Sequence, residues 1–315
     1  MAGSDCGTAL ALEPRGGRDV AEAIARTVAD RSVTSCRQPK ARQSFAESGL
    51  AVRSDSMETF LLFLVVGVLA QSVDGALGMA YGVISSSVLL AFGVPPAMAS
   101  ASVHGAEVFT TAASAGSHVA HRNVDWRLLL PLAIAGVIGG CVGAYVLTGI
   151  DGDVIKPFIV TYLGLMGVYI LWRAGHDILL RHIPSWAAWP LGLVGGFLDA
   201  VGGGGWGPTV SSTLVGAGQE PRRAIGTANT AEFFLTVAVS ATFVWALISG
   251  HWADAGALEH HAAAVGGLIV GGLAAAPFAG LIAKRVPRKP MTYAVGATLL
   301  LLAGFQAMQL AGVIA

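Results

Sequence analysis

The sequence predicts an all-α polytopic membrane protein with two inverted structural repeats, each a short broken-helix hairpin followed by three transmembrane helices. Three observations predict this class: the composition, the order of the apolar segments and an internal duplication. Of the 315 residues, 54% are hydrophobic and only 12% are charged, about half the charged share of a soluble domain. Residues 1–56 hold 15 of the 38 charges, so the remainder has the composition of a membrane protein.

The chain divides at Met57. Residues 1–56 mix Gly, Ser, Arg and Asp, have no apolar run typical of a secretory signal, and are predicted to be a poorly ordered tail. The membrane transporter domain is predicted to cover 57–315, with repeat one at 57–175 and repeat two at 185–315. An alternative is that the natural start is Met57 itself, since this residue stands directly before the first apolar run.

Composition also limits the partners. The formal net charge is zero, which argues against a nucleic-acid partner. Cys6, Cys36 and Cys141 form no CxxC pair and indicate neither a disulfide framework nor a metal site. We expect the lipid bilayer as the surroundings and no cofactor.

Ten apolar segments follow Met57, and the central ones are long enough for a hydrocarbon core of about 30 Å. Two pairs of segments are short, and each pair is split by glycine and an aspartate. Such interrupted segments at matching places in two halves indicate discontinuous helices and a transporter binding site. The segments are 58–73, 76–92, 97–120, 127–148, 154–173, 186–198, 205–217, 224–249, 261–283 and 290–313.

The two halves are related by a tandem duplication. A shift of 125 residues places Asp74–Thr111 on Asp199–Thr236 without a gap, and 13 of the 38 positions are identical. After an insertion the match resumes with Gly139-Gly140 on Gly271-Gly272. Self-similarity at this scale is a sequence signature of repeated structure.

Loop charges predict that the repeats are inverted. The loop at Gly93–Pro96 has no Lys or Arg, whereas its equivalent at Gly218–Arg223 has two. The loop at Arg122–Arg127 has two, whereas Gly250–His260 has none. Under the positive-inside rule these equivalent loops face opposite sides of the membrane. The short pair of segments in each repeat must then be a hairpin.

Buried polar groups are the candidates for coupling. Ionisable residues at membrane depth are costly and typically face a pathway. His104 and Glu107 are three residues apart and share a helix face, and Asn229 and Glu232 repeat that spacing. Proton coupling or gating is predicted for Asp74, His104, Glu107, Asp199 and Glu232, because a low dielectric favours neutral carboxyl groups and histidine exchanges protons readily.

Two alternatives stay open for these groups. They could form interhelical hydrogen bonds without a transport role. Asp74 and Asp199 could also cap the short helix that follows each break.

Glycines and hydroxyl groups at the breaks predict a site for a small anion. Glycine allows the backbone to approach a ligand closely, and free N–H groups at a helix start favour negative charge. The predicted substrate-binding residues are Gly75, Gly78, Ser85, Ser86, Ser87, Gly203, Gly204, Gly205, Ser211, Ser212 and Asn229. The alternative is close helix packing through small residues, which we expect for Gly139-Gly140 and Gly271-Gly272.

These motifs resemble those of the sulfite exporter TauE/SafE family of membrane permeases over residues 58–313. The motifs are Asp74–Gly82 with Ser85–Ser87, Phe197–Pro208, and Gly226–Glu232. Repeat one departs from the pattern at Gly75–Gly78, which replaces a glycine run, and at His104, which replaces an asparagine.

The resemblance implies a secondary transporter for small sulfur-containing or organic anions, such as sulfite or sulfonates, in a bacterial plasma membrane. The buried carboxyl groups add protons as the expected coupling ion, with the substrate bound between the repeats near the midplane. The residues leave two alternatives open: a cation channel or exchanger that uses these carboxylates, and an integral membrane enzyme with acid–base groups at His104, Glu107 and Glu232.

Overall fold

The structure, a computed structural model, describes residues 56–176, 184–217, 219–252, 262–276 and 288–313. The predicted tail lies outside the described residues, apart from its last residue, Ser56. Within the described ranges the regular structure is entirely helical, which confirms the all-α class.

Ten α-helices make up the described part of the chain. The helices are α1 Ser56–Leu77, α2 Tyr81–Ala91, α3 Pro96–Ala120, α4 Trp126–Thr148, α5 Gly152–Gly175, α6 Ala188–Gly202, α7 Ser212–Gly216, α8 Pro221–Ile248, α9 Ala262–Ala275 and α10 Arg288–Leu310. A 3₁₀ turn at Ser185–Ala187 precedes α6, and a π-helical turn at Gly207–Ser211 leads directly into α7.

Five of the described helices are long and apolar enough to cross a membrane: α1, α4, α5, α8 and α10. Three shorter helices, α2, α6 and α9, are also apolar. Large apolar side chains on the long helices face outward, and Leu130, Phe158 and Leu301 are 61%, 69% and 75% exposed. Lipid is the medium in which such outward apolar surface is stable.

The breaks lie slightly later in the chain than the sequence predicts. The predicted end of the first arm at residue 73 is wrong, because α1 has 22 residues and continues through Asp74 to Leu77. The second arm starts at Tyr81 rather than at residue 76. The later part of the predicted segment 261–283, beyond residue 276, lies outside the described residues.

Helices of one repeat pack mainly against helices of the other. Helix α4 packs along α6, and α9 packs along α1; each pair joins a first helix to the fourth helix of the opposite repeat. Glycines allow this close approach: a Cβ at Gly67 would lie 2.6 Å from the Leu268 carbonyl oxygen, and a Cβ at Gly192 would lie 2.6 Å from that of Leu132. Gly67 and Gly192 are equivalent under the shift of 125 residues.

The double-glycine motifs serve the same packing. A Cβ at Gly139 would overlap the Leu193 carbonyl oxygen, and one at Gly271 would overlap that of Leu64. The interpretation of these motifs as close packing sites is therefore the one that the geometry supports.

Helices that are equivalent in the two repeats also pack against each other. Helix α3 packs on α8, and α5 packs on α10. The hydroxyl oxygens of Thr111 and Thr236, equivalent residues of the two repeats, lie 3.4 Å apart. Contacts between equivalent residues are typical of a two-fold relation. The inverted orientation of the repeats across the membrane stays a prediction.

Candidate functional site

In each repeat the helix before the break is followed by a glycine in the left-handed conformation. Gly78 follows α1 with a φ of 68°, and Gly203 follows α6 with a φ of 67°. These glycines are equivalent under the shift of 125 residues, and a left-handed residue after a helix is a common way to end it. The duplicated sequence thus forms the same type of break twice.

The two aspartates cap the helical arm that follows each break. An Oδ1 atom of Asp74 accepts the N–H of Tyr81 at 3.4 Å, and Oδ1 of Asp199 accepts that of Trp206 at 2.8 Å. Both bonds span seven residues. The capping alternative therefore describes Asp199 well, and Asp74 makes a longer version of the same contact.

The N–H groups of the second break are already occupied. Gly205 donates to the Asp199 carboxylate at 2.6 Å, and Gly203 and Gly204 donate to the Asp199 carbonyl oxygen. The glycine pattern at the breaks predicts that these N–H groups are available to an anion. In this conformation they are not, because one aspartate accepts all of them together with that of Trp206.

The two breaks touch each other. A Cβ at Gly82 would lie 2.6 Å from Cα of Gly204, and one at Gly207 would lie 2.6 Å from Cα of Met79. Gly203 packs on Ser86: a Cβ added at Gly203 would lie 2.7 Å from Cβ of Ser86. The glycines thus allow direct backbone contact between the repeats, and this contact defines the candidate site.

A buried polar cluster lies beside the contact. His104 Nε2 is 3.1 Å from Asp199 Oδ2, and the side chains are 0% and 2% exposed. Glu107 is also buried, and its Oε2 atom has no hydrogen-bond partner. Each of the three residues offers a ligand atom, and these atoms lie within 4.8 Å of one another. This is where the described part of the chain could hold a cation.

The matching groups of repeat two are arranged differently. Asn229 donates from Nδ2 to the Ser114 hydroxyl at 3.0 Å, and its Oδ1 has no partner. Glu232 is half-buried, and its carboxyl group interacts electrostatically with that of Asp74. The structure therefore brings His104 and Glu107 to Asp199, whereas Asn229 turns to α3.

The predicted serines are buried near the breaks. The hydroxyl groups of Ser85, Ser87 and Ser211 have no partner. Ser86 contacts the Val83 carbonyl oxygen, and Ser212 contacts the Met79 sulfur, both at 3.4 Å. Buried hydroxyl groups without partners are uncommon and costly, so these serines are available to a ligand. Gly75 lies in the last turn of α1 and not in the break itself.

Three further residues of this site have no role in the sequence predictions. Ser100 bonds to His104 and to the Ala200 carbonyl oxygen; its position one turn before His104 on α3 could have indicated it. Trp206 is fully buried and donates from Nε1 to the Ala228 carbonyl oxygen at 3.0 Å. Tyr162 places an unpartnered hydroxyl group against Gly205, and nothing in the sequence pattern pointed to it.

Comparison with known proteins gives two matches. A family model described as "Sulfite exporter TauE/SafE" matches residues 63–305. The "Probable membrane transporter protein YtnM" of Bacillus subtilis (strain 168) is 43% identical over 252 residues, which cover 78% of this chain and 81% of that protein. No solved structure matches.

Proposed function

Because the chain belongs to the sulfite exporter TauE/SafE family of membrane transporters, we propose that it carries small sulfur-containing or organic anions, such as sulfite or sulfonates. It acts as a secondary transporter in a bacterial plasma membrane and uses the proton gradient. The observation that carries the proposal is the contact between two helix breaks beside buried hydroxyl groups that have no partner.

The anion binds between the repeats, where the breaks meet. Ser85 and Ser87 on α2 and Ser211 at the start of the opposing arm offer hydroxyl donors. Neutral donors suit an anion because they bind it without a permanent counter-charge. The break N–H groups are held by Asp199, so in this conformation the hydroxyl groups are the available donors.

Protons accompany the anion. Ionised carboxylates near the site would repel an anion strongly in a low dielectric. Arg222 and Arg223 pair with the exposed Glu220, and the buried Asp199 carboxylate contacts His104. Protonation of the buried carboxyl groups removes this repulsion. The coupling and gating groups are Asp74, His104, Glu107, Asp199 and Glu232.

Uptake by the full chain in proteoliposomes tests the proposal. Sulfite and methanesulfonate serve as probes, and an internal pH dye reports proton movement. A hydrogen bond to a charged ligand contributes about 1.5–3 kcal/mol, so Ser87→Ala should weaken the uptake affinity at least tenfold. Ser249→Ala is the matched control, because Ser249 is exposed at the end of α8. An active preparation that moves none of a panel of such anions would overturn the proposal.

The second candidate function is a cation channel or exchanger. It is favoured by the ligand atoms of His104, Glu107 and Asp199, which lie within 4.8 Å of one another. Glu107→Gln separates the two functions. Loss of proton coupling with anion binding retained supports the anion transporter, and loss of cation binding supports the second candidate.

A further inference from the structure

The orientation of the His104 ring is fixed by Ser100. The Ser100 hydroxyl group donates its one hydrogen to the Ala200 carbonyl oxygen at 2.5 Å. Two acceptor atoms of Ser100 therefore face His104 Nδ1: the carbonyl oxygen at 2.8 Å and the hydroxyl oxygen at 3.3 Å. Nδ1 must therefore carry a hydrogen.

The second ring nitrogen faces another acceptor. A neutral imidazole with its hydrogen on Nδ1 has a lone pair on Nε2, and Nε2 lies 3.1 Å from Asp199 Oδ2. A carboxylate oxygen is an acceptor as well. Two lone pairs cannot form a hydrogen bond, so this contact requires one proton more than a neutral histidine and a carboxylate contain.

That proton belongs to the histidine. Asp199 Oδ1 accepts the N–H groups of Gly205 and Trp206, and such bonds stabilise the ionised carboxylate. The pair is thus an imidazolium and a carboxylate, removed from water on both sides.

We infer that this single bound proton joins the two repeats, and that its departure opens the contact between them. His104 belongs to α3 of repeat one, and Asp199 belongs to the end of α6 in repeat two. Without the proton, the two lone pairs repel each other at 3.1 Å, and α3 separates from the break. The role of this opening in transport rests on the proposed proton coupling, but the existence of the bound proton does not.

Glu107 is the third titratable group beside the pair. Its buried Oε2 has no partner, and its ligand atom lies within 4.8 Å of those of the pair. On opening, the His104 imidazolium gives its proton to water and becomes a neutral imidazole. Other titratable groups in electrostatic range of the acidic members are Tyr81, Tyr162, Asp74 and Glu232.

Nitrogen NMR of the full chain in lipid nanodiscs, labelled with ¹⁵N-histidine, tests the proton count. At about pH 7.5, where an exposed histidine is mostly neutral, both ring nitrogens of His104 should be protonated. His104→Asn should remove this signal and His121→Asn should retain it. His121 is a matched control, because its Nδ1 makes the same bond to a carbonyl oxygen four residues earlier, at 2.7 Å, but is exposed.

Asp199→Asn tests the inference if His104→Asn does not fold. The new amide can accept the backbone N–H groups with its oxygen and donate to Nε2 with its nitrogen, so the His104 signal should change to an imidazole protonated on Nδ1 alone. A neutral ring in the wild-type protein, or a stoichiometric metal ion on Nε2, would overturn the inference.

Amide hydrogen exchange of residues 199–206 tests the opening. After correction for the chemical rate, the opening constant should rise about tenfold per pH unit, the slope for release of one proton, and should lose that slope in Asp199→Asn. If the slope of the opening constant against pH is the same in Asp199→Asn as in the wild type, the proton has no role in opening. Neither measurement needs a transported anion, so a lack of uptake would remove the proposed function and leave this result standing.

Discussion

Replacing Gly82 by alanine tests the contact between the helix breaks. The added Cβ would lie 2.6 Å from Cα of Gly204, 3.0 Å from the Gly203 carbonyl oxygen and 2.9 Å from Glu107 Oε1. Carbon atoms in contact are normally about 3.5–4.0 Å apart, so the two breaks must separate by roughly 1 Å. Two of the three neighbours are backbone atoms and cannot rotate away.

The expected magnitude is the balance of two effects. Overpacking of this kind typically costs about 1–3 kcal/mol, whereas alanine in a helix is favoured over glycine by up to about 1 kcal/mol. Gly82→Ala should therefore destabilise the protein by up to about 2 kcal/mol and reduce anion uptake, because Glu107 and the opposing break both move. Stability is measured by melting in detergent, and uptake is measured in proteoliposomes.

Gly116→Ala is the control for this substitution. Gly116 lies in α3, and apart from the adjoining part of α3 itself no atom lies within 4 Å of an added Cβ, so only the gain in helix propensity remains. If Gly82→Ala melts with Gly116→Ala and transports like the wild type, the two breaks are not in contact and the reasoning is refuted.

Three further substitutions have defined outcomes. Glu107→Gln keeps the size of the side chain but cannot take up a proton, so anion uptake should lose its pH dependence while anion binding, measured by isothermal titration, is retained. Trp206→Phe removes the donor to the Ala228 carbonyl oxygen at 3.0 Å and should cost about 1–3 kcal/mol in melting experiments, since a buried acceptor is left unpaired. Tyr81→Phe removes the bond to the Leu268 carbonyl oxygen at 3.1 Å; a similar loss is expected, and an unchanged melting curve would show that this link between α2 and α9 is not made.

The helical class and the paired breaks could be predicted because they depend on local patterns. Apolar segments, glycines and the duplication all lie within short stretches of sequence. The exact place of each break could not be predicted, because Gly75 and Gly78 are both compatible with ending α1. Only the backbone decides: Gly75 stays helical, and Gly78 takes a φ of 68°.

The partners of the buried groups were beyond sequence reasoning for a different reason. Helical spacing places His104 and Glu107 on one face, but it cannot say which of the two aspartates they meet. That is decided by the packing of α3 against α6, which brings together residues 95 positions apart. Equivalence under the repeat suggests symmetric partners, yet Asn229 bonds to Ser114.

This asymmetry bears on how a duplicated transporter can be coupled to one proton. Both repeats keep the aspartate cap. The carboxylates of Asp74 and Asp199 accept backbone N–H groups, so both breaks can form without a proton. The residue opposite the cap differs, however, and an asparagine amide can donate to a carboxylate without taking up a proton. Under the proposed inverted arrangement, exchange of the two repeat conformations would set Asn229 against Asp74. The contact between repeats would then require a proton in one conformation and none in the other, which is the difference that the proposed proton coupling needs.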